Sequence, residues 1–301
     1  MSKKELAIIE RAKELVPGFR EGFSRFKQRI VLDQMSPSLL VNYGRYVAHT
    51  ALHFGKSPEK ISVEEMDLYL YRLSIEEEYS ETFFKFTVYG MRYWYRLYGL
   101  EDSALKMPVI RKKSPLPEVL SKKDVKRLIK APRSFKHRFI LALVYSSGLR
   151  LNEARLLKIN DLCLDRRQIF VRNGKGRKDR YVILSEYIAK ALPKYLSQYN
   201  PREYLFEGAE PGKPMGNRSM QHVINEARRI AGITGKCSMH TLRHSFATHL
   251  LEDGVDIYSI QALLGHAQLR TTVVYLHIAH VLPKRAHSPL DTLYGFMPKA
   301  K

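Results

Sequence analysis

Apolar residues recur at steps of three and four along positions 3–99, which predicts a series of amphipathic α-helices. Helix starts are signalled by a serine before a proline and by a serine with a glutamate three residues later, and helix ends by glycines. These signals are Ser36 with Pro37, Ser62 with Glu65, Gly55 and Gly99. The last helix has one apolar stripe, formed by Phe84, Val88, Met91, Tyr95 and Tyr98. We therefore predict an all-helical N-terminal domain whose aromatic residues are mostly core.

The rest of the chain combines helical patterns with one pair of short β-prone runs. A cap at Ser121 and Asp124 starts a helix that reaches Ile129, and a second helix over 135–147 ends at Gly148. The β-prone runs and the later helices are predicted over 168–172, 181–184, 185–199, 219–230, 240–252, 257–264 and 272–279. A glycine-rich turn joins the two strands as a hairpin. The predicted fold class is mainly α, with a small β-sheet in the second domain.

A basic, proline-containing segment separates these two patterns. It resists both helix and strand, and we therefore predict a semi-rigid linker that sets the domain boundary. Its composition suits a segment that follows a phosphate backbone about as well as a plain solvated linker. The predicted segments are a helical domain over 1–106, the linker over 107–117, a mostly helical domain over 118–285 and a C-terminal tail over 286–301.

The charge of the chain narrows the expected partners. The 301 residues include 51 Lys and Arg against 30 Asp and Glu, which gives a net charge of +21. Such a charge favours a large polyanion, with nucleic acid ahead of an anionic membrane surface. A membrane-surface protein is disfavoured because the chain lacks a strongly amphipathic, lysine-rich helix.

Cysteine spacing and apolar runs bear on metal content and location. Cys163 and Cys237 lie far apart and show no CxxC or Cys/His spacing, so neither a structural metal nor a disulfide framework is predicted. Residues 1–10 lack the apolar core of a secretion signal, and no run of about 18 apolar residues suggests a membrane span. We expect a cytoplasmic protein without a metal or another cofactor.

A histidine and an arginine begin one of the predicted helices. His240 and Arg243 are three residues apart and therefore project from the same helix face. An imidazole can move a proton near neutral pH, and a planar guanidinium matches two oxygens of a phosphate. Alone, this pair is a weak signal of catalysis.

A second arginine and a glycine-flanked lysine lie upstream. Arg150 follows a predicted helix end, and Glu153 three residues later can hold its guanidinium in place. When a nucleophile attacks a DNA phosphate, negative charge spreads over the two non-bridging oxygens of that phosphate. Two arginine side chains would suit this distribution of charge. Lys175, in a Gly-Lys-Gly turn, is either an idle turn lysine or a general acid for the departing sugar oxygen. Lys178 and Arg180 are candidate phosphate contacts or surface residues.

A histidine after a tight turn precedes a tyrosine on a predicted short helix. These residues are His266 and Tyr275. A tyrosyl oxygen that attacks phosphorus forms a covalent ester, which conserves the energy of the broken bond and permits religation without ATP. The chain has 18 tyrosines, so only the position relative to the other groups selects Tyr275.

Taken in order, these motifs resemble the tyrosine recombinase family. They are Gly148-Leu149-Arg150 with Glu153, Gly174-Lys175-Gly176, HTLRHSFATHLLEDG from His240, LLGH at 263–266, and Tyr275. The resemblance covers about 116–276, and the N-terminal helices resemble that family's core-binding domain more weakly. It implies a two-domain, C-shaped DNA clamp, with a helical core-binding (SAM-like) domain before a mostly helical catalytic domain with a small β-sheet.

The resemblance also implies a role for each matched residue. The two arginines would bind the scissile phosphate, supported by Glu153, and Lys175 would be the general acid. His240 would assist proton transfer at Tyr275, and His266 would hydrogen-bond the phosphate in the transition state. Cleavage of double-stranded DNA at an inverted-repeat site would leave a 3′-phosphotyrosine and a free 5′-hydroxyl. Strands would be exchanged in pairs through a Holliday junction inside a homotetramer, without metal or nucleotide.

Two other functions fit parts of this pattern. A type IB topoisomerase shares the tyrosine chemistry, but the recombinase-like N-terminal domain and spacing disfavour it. An architectural DNA-binding protein would lack catalysis, and the complete set of polar groups disfavours that function. Dimer resolution, integration of a mobile element and inversion share one active site, so the biological role stays open. The resemblance is to the bacterial branch and favours a bacterial host.

Contacts outside the active site are less sharply predicted. The helix over 219–230 would either enter a major groove or present a solvated face, and Arg218 and Arg228 are its candidate DNA contacts. The tail has apolar residues that would dock on a neighbouring protomer or pack on their own domain.

Overall fold

The computed structural model describes residues 3–75, 79–108, 116–172 and 179–279. The chain divides into two compact units, Met1–Ser114 and Pro115–Lys301. This division falls inside the predicted linker over 107–117. The predicted hairpin turn, the centre of the linker and the C-terminal tail lie outside the described residues.

Five α-helices form the described part of the first unit. They are α1 (Lys3–Leu15), α2 (Phe19–Leu32), α3 (Pro37–Phe54), α4 (Val63–Ile75) and α5 (Glu81–Leu97). The Ser36 hydroxyl accepts a hydrogen bond from the Leu39 amide, and Ser62 and Glu65 exchange hydrogen bonds as a capping box. Four residues of the predicted α5 stripe are buried, namely Phe84, Val88, Met91 and Tyr95. The predicted helix starts and aromatic core are confirmed.

The second unit combines helices with one small sheet. Its described helices are α6 (Lys122–Lys130), α7 (Phe135–Ser147), α8 (Leu151–Arg155), α9 (Glu186–Tyr199), α10 (Asn217–Ile230), α11 (Met239–Glu252), α12 (Ile257–Leu264) and α13 (Arg270–Val273). Its strands are β1 (Leu162–Cys163), β2 (Gln168–Val171) and β3 (Arg180–Ile183). The predicted mainly α fold with a small sheet is confirmed.

The sheet is antiparallel in the order β1-β2-β3, and Ile169 of β2 pairs with Val182 of β3. Strand β1 and helix α8 were not predicted, because elements of two and five residues are too short to show a period. The helix predicted over 272–279 is wrong in type, because α13 ends at Val273 and the 3₁₀ turn Val274–His277 carries Tyr275.

Helices α7 and α11 form the support of the candidate site. Helix α7 is buried along most of its length, with Ile140, Leu141 and Leu143 fully enclosed, and it packs against α11. Arg150 follows the C-terminal end of α7, and His240 and Arg243 lie in the first turns of α11, so packing of these two helices fixes where these three residues lie. Within the part of the chain that the structure describes, no helix is long and apolar enough to cross a membrane.

Candidate active site

The turn after α7 brings the two predicted arginines together. Gly148 ends the helix in a left-handed conformation with φ of +61°. Its carbonyl oxygen accepts a hydrogen bond from Nη1 of Arg243 at 2.6 Å. Arg150 follows as the N-cap residue of α8, and its backbone amide and its Nη1 both donate to the Glu153 carboxylate at 2.8 Å.

Replacing Gly148 with alanine should destabilise the second unit. A Cβ at this position would lie 2.5 Å from a ring carbon of Phe246, and an L-residue in this conformation costs about 1–3 kcal/mol before any clash. Denaturant unfolding measures the loss. Gly232→Ala is the matched control, because Gly232 has φ of +63° and no atom within 4 Å of an added Cβ. An equal loss in the two variants would contradict the steric part of this account.

One carboxylate stands at the centre of three guanidinium groups. Besides the Arg150 hydrogen bonds, Glu153 accepts hydrogen bonds from Nη1 and Nη2 of Arg180 at 2.9 and 2.8 Å. Nη1 of Arg243 lies 3.8 Å from Oε2 of Glu153. The side chains of Glu153 and Arg180 are only 8% and 9% exposed. Three cations around one anion leave an excess of positive charge, which suits a bound anion.

Burial and ion pairing shift the pKa values of this cluster. Burial alone would raise the pKa of Glu153, but hydrogen bonds from Arg180 and Arg150 outweigh it and lower that pKa to about 2. Burial, with added repulsion from Arg150, lowers the pKa of Arg243 to about 10. At neutral pH the carboxylate is therefore ionised and Arg243 still carries its charge.

Arg243 also contacts the predicted histidine of the α12 end. It is 3% exposed, its Nη2 donates to the Leu264 carbonyl at 2.7 Å, and the same nitrogen lies 3.2 Å from Nε2 of His266. Nδ1 of His266 lies 2.9 Å from the Thr272 hydroxyl. The end of α12 thus holds arginine and histidine in one hydrogen-bonded group.

The candidate nucleophile Tyr275 lies against this group. Its hydroxyl is 3.0 Å from Nδ1 of His244, its residue exposure is 2%, and its ring stacks nearly parallel to His266 at a centroid distance of 6.5 Å. Burial raises the pKa of Tyr275, while Arg243 and Arg150 act in the opposite direction with smaller effect. The phenol is therefore protonated at neutral pH and would need a proton acceptor to act as a nucleophile.

His240 lies one helical turn before His244 on α11. It lines a groove of about 390 Å³ together with the polar side chains of Asn152, Gln221 and Asn225. Burial lowers the pKa of His240, and Arg243 and Arg150 lower it further. The ring centroids of His240 and His244 are 6.4 Å apart. His240 therefore borders the arginine cluster from the groove side, as a neutral imidazole at neutral pH.

The structure brings six predicted site residues into one region, namely Arg150, Glu153, His240, Arg243, His266 and Tyr275. Lys175 and Lys178 lie outside the described residues. Arg218 is exposed on the first turn of α10. Arg228, in the last turn of α10, donates to the Gly235 carbonyl. Of the two expectations for Arg180, the surface side chain is wrong, because its guanidinium is buried and its Nε donates to the Leu263 carbonyl. The phosphate contact stays a prediction.

Two features of the site were missed from the sequence. His244 contacts the hydroxyl of Tyr275, and its spacing of four residues from His240 on one helix face was a usable signal. The bond between Arg180 and Glu153 had no such signal, because the residues are 27 positions apart on different elements. Among the described residues, no group of three or more His, Cys, Asp or Glu side chains could hold a metal ion.

Comparison with known proteins identifies the family. Residues 118–280 match the phage integrase family. The chain is 32% identical over 271 residues to a putative integrase/recombinase, y4qK, of Sinorhizobium fredii, covering 89% of this chain and 88% of the relative. It is 38% identical over 205 residues to the tyrosine recombinase XerA of Thermococcus kodakarensis, covering 66% and 72% of the two chains.

Solved structures agree with this match. A crystal structure of XerA recombinase aligns with a TM-score of 0.50 at 30% identity, over 93% of this chain and 99% of that one. A lambda integrase dimer bound to a COC′ core site aligns with a TM-score of 0.67 at 16% identity, over 89% and 98%, which supports the fold alone. This chain belongs to the phage integrase family of tyrosine recombinases.

Proposed function

We propose that this protein is a site-specific DNA recombinase that cuts and rejoins duplex DNA through a covalent bond to Tyr275. The observation that carries the proposal is the assembly of the tyrosine hydroxyl, two histidines and an arginine cluster with excess positive charge in one region. A phosphodiester is the anion that a tyrosine nucleophile can use, and paired guanidinium groups match its non-bridging oxygens. Membership of the tyrosine recombinase family supports the same chemistry.

In the proposed cleavage step the Tyr275 oxygen attacks phosphorus, and the bond from phosphorus to the 5′ oxygen breaks. Arg150 and Arg243, held by Glu153, stabilise the charge that develops on the phosphate oxygens. Lys175 gives a proton to the 5′ oxygen, and the phenolic proton passes to a histidine of α11. Attack of a 5′-hydroxyl on the 3′-phosphotyrosine reverses these steps and joins the strand without an external energy source.

The proposal includes metal and ATP independence, because the arginine cluster supplies the charge that a divalent cation supplies in other phosphoryl transfers. It also includes action in the cytoplasm on DNA sites with inverted repeats, by a homotetramer that exchanges strands in pairs through a Holliday junction. The solved structures that this chain resembles include XerH recombinase bound to its difH substrate, which supports a DNA partner here. Arg218 on α10 is a proposed DNA contact, and Arg180 is proposed to position Glu153.

Covalent trapping tests this proposal. Duplexes that the protein enriches from a randomised pool are nicked beside the candidate scissile phosphate, so that the cleaved end diffuses away and the adduct accumulates. We expect a protein–DNA band on a denaturing gel, equally strong with a metal chelator and without ATP. Binding without any adduct would instead favour an architectural protein, and an adduct that requires a metal would contradict the metal-independent step.

A further inference from the structure

In the described part of the chain, helix α11 makes two half-buried histidine–tyrosine pairs, and one of them adjoins the arginine cluster. Nδ1 of His244 lies 3.0 Å from the Tyr275 hydroxyl, and Nδ1 of His249 lies 2.9 Å from the Tyr145 hydroxyl. The family resemblance places proton transfer on His240, whereas the direct contact here is made by His244. We infer that His244 is the proton acceptor of Tyr275 in the strand-cleavage step, an inference that rests on the proposed function.

In the contact between Tyr275 and His244, the tyrosine hydroxyl is the donor and the histidine is the acceptor, as proton transfer to His244 requires. Burial, followed by His240 and Arg243, lowers the pKa of His244 to about 4, so the imidazole is neutral at neutral pH. Tyr275 is protonated there, and a protonated phenol donates to an unprotonated Nδ1. The tautomer with hydrogen on Nε2 is the one that this contact selects.

A weakly basic imidazole can still accept this proton. The phenolic oxygen becomes strongly acidic as its bond to phosphorus forms, so transfer need not precede attack. The arriving phosphate also brings negative charge, which favours the imidazolium form. The step balances: the Tyr275 oxygen bonds phosphorus, the 5′ oxygen leaves with a proton from the general acid, and the phenolic proton ends on Nδ1 of His244.

The decisive variant is His244→Asn, which keeps a hydrogen-bond acceptor close to the position of Nδ1 but cannot take up the proton. We expect single-turnover cleavage of a nicked substrate to fall about 100-fold or more, the usual size of a general-base effect. His249→Asn is the matched control, since it alters the other histidine–tyrosine pair on the same helix, and we expect its cleavage rate to stay near native. His244→Gln serves as the second variant if asparagine disturbs packing.

Two changes of chemistry separate a proton acceptor from a residue that only positions Tyr275. Fluorinated tyrosine at position 275 has a more acidic phenol, and it should shrink the gap between native and His244→Asn proteins. A 5′-bridging phosphorothiolate substrate, which needs no protonated leaving group, should restore Lys175→Ala but not His244→Asn.

Cleavage by His244→Asn at the native rate, or faster because the tyrosine is released, would overturn the inference. So would a gap that fluorinated tyrosine leaves unchanged. These outcomes presuppose that the native protein forms the covalent adduct. Absence of that adduct in the native protein would instead remove the proposed function itself, so the two failures are distinguishable.

Discussion

Replacing Tyr275 with phenylalanine should abolish covalent attachment to DNA and leave DNA binding unchanged. The substitution removes the one oxygen that can form the ester and keeps the ring that packs with Phe246 and Leu264 in the local core. Loss of the hydrogen bond to His244 should cost only about 1 kcal/mol of stability. Gel shift and denaturing gels on the same nicked duplex measure the two properties separately.

The matched control for that experiment is Tyr145→Phe. Tyr145 also contacts a histidine of α11, so the control removes an equivalent half-buried hydrogen bond away from the arginine cluster. We expect it to form the covalent adduct at a rate close to native. An adduct that survives in Tyr275→Phe would show that a different group attacks the phosphate. An adduct that is lost equally in both variants would show that the assay reports only the loss of stability.

Replacing Glu153 with glutamine should reduce stability more than Gly148→Ala or Tyr275→Phe does. The variant keeps the shape of the side chain but leaves Arg243 and Arg180 buried without a carboxylate. Breaking a buried ion pair from one side typically costs about 3–5 kcal/mol. Glu203→Gln is the control, because Glu203 pairs with Lys158 at the surface and such pairs contribute about 1 kcal/mol or less.

Unfolding by urea measures this difference, with circular dichroism as the signal for both units. Trp94, the single tryptophan of the chain, lies in the first unit, so its fluorescence provides an internal reference. The expected result is a lower midpoint for the second unit with an unchanged tryptophan transition. Cleavage should fall as well, because Arg150 and Arg243, which we propose bind the scissile phosphate, lose their common anchor. A stability equal to that of Glu203→Gln would contradict this role of Glu153.

The contribution of Glu153 to stability depends on pH, because the pKa of its carboxyl is lowered in the folded protein. Glu153 has a pKa of about 2 in the folded protein against an ordinary value of 4.5, so the unfolded chain binds more protons between those values. Its stabilising contribution is complete above pH 4.5 and is lost as the pH falls toward 2. The difference corresponds to roughly 3 kcal/mol. The gap in stability between native and Glu153→Gln proteins should therefore close over this window, and a gap that stays constant would contradict the assignment.

Elements with a long period and clear end signals were predicted well from the sequence. Helix α7 has the predicted bounds because its apolar run ends at a glycine that takes the left-handed conformation. The 3₁₀ turn at Tyr275 could not be predicted, since one turn of either helix type shows the same spacing of apolar residues. Short elements depend on contacts that a local pattern does not contain.

The same distinction applies to the site. Arg150, Arg243 and Tyr275 were found because their order and spacing carry family information. The internal role of Arg180 was missed, because a cation in a short strand looks the same whether it faces solvent or a buried carboxylate. The spacing of His244 from His240 could have marked it as a candidate, but its contact with Tyr275 was missed because the two residues lie 31 positions apart. Tertiary packing alone joins these pairs.

In the proposed reaction Tyr275 forms the covalent bond with DNA, and the most direct test is to identify the linked residue. The trapped adduct is digested with protease and nuclease and the remaining peptide is sequenced by mass spectrometry. We predict a peptide in which Tyr275 carries a nucleoside 3′-phosphate, with a free 5′-hydroxyl on the released strand. A nucleotide on any other residue, or a link to the 5′ end, would contradict the account.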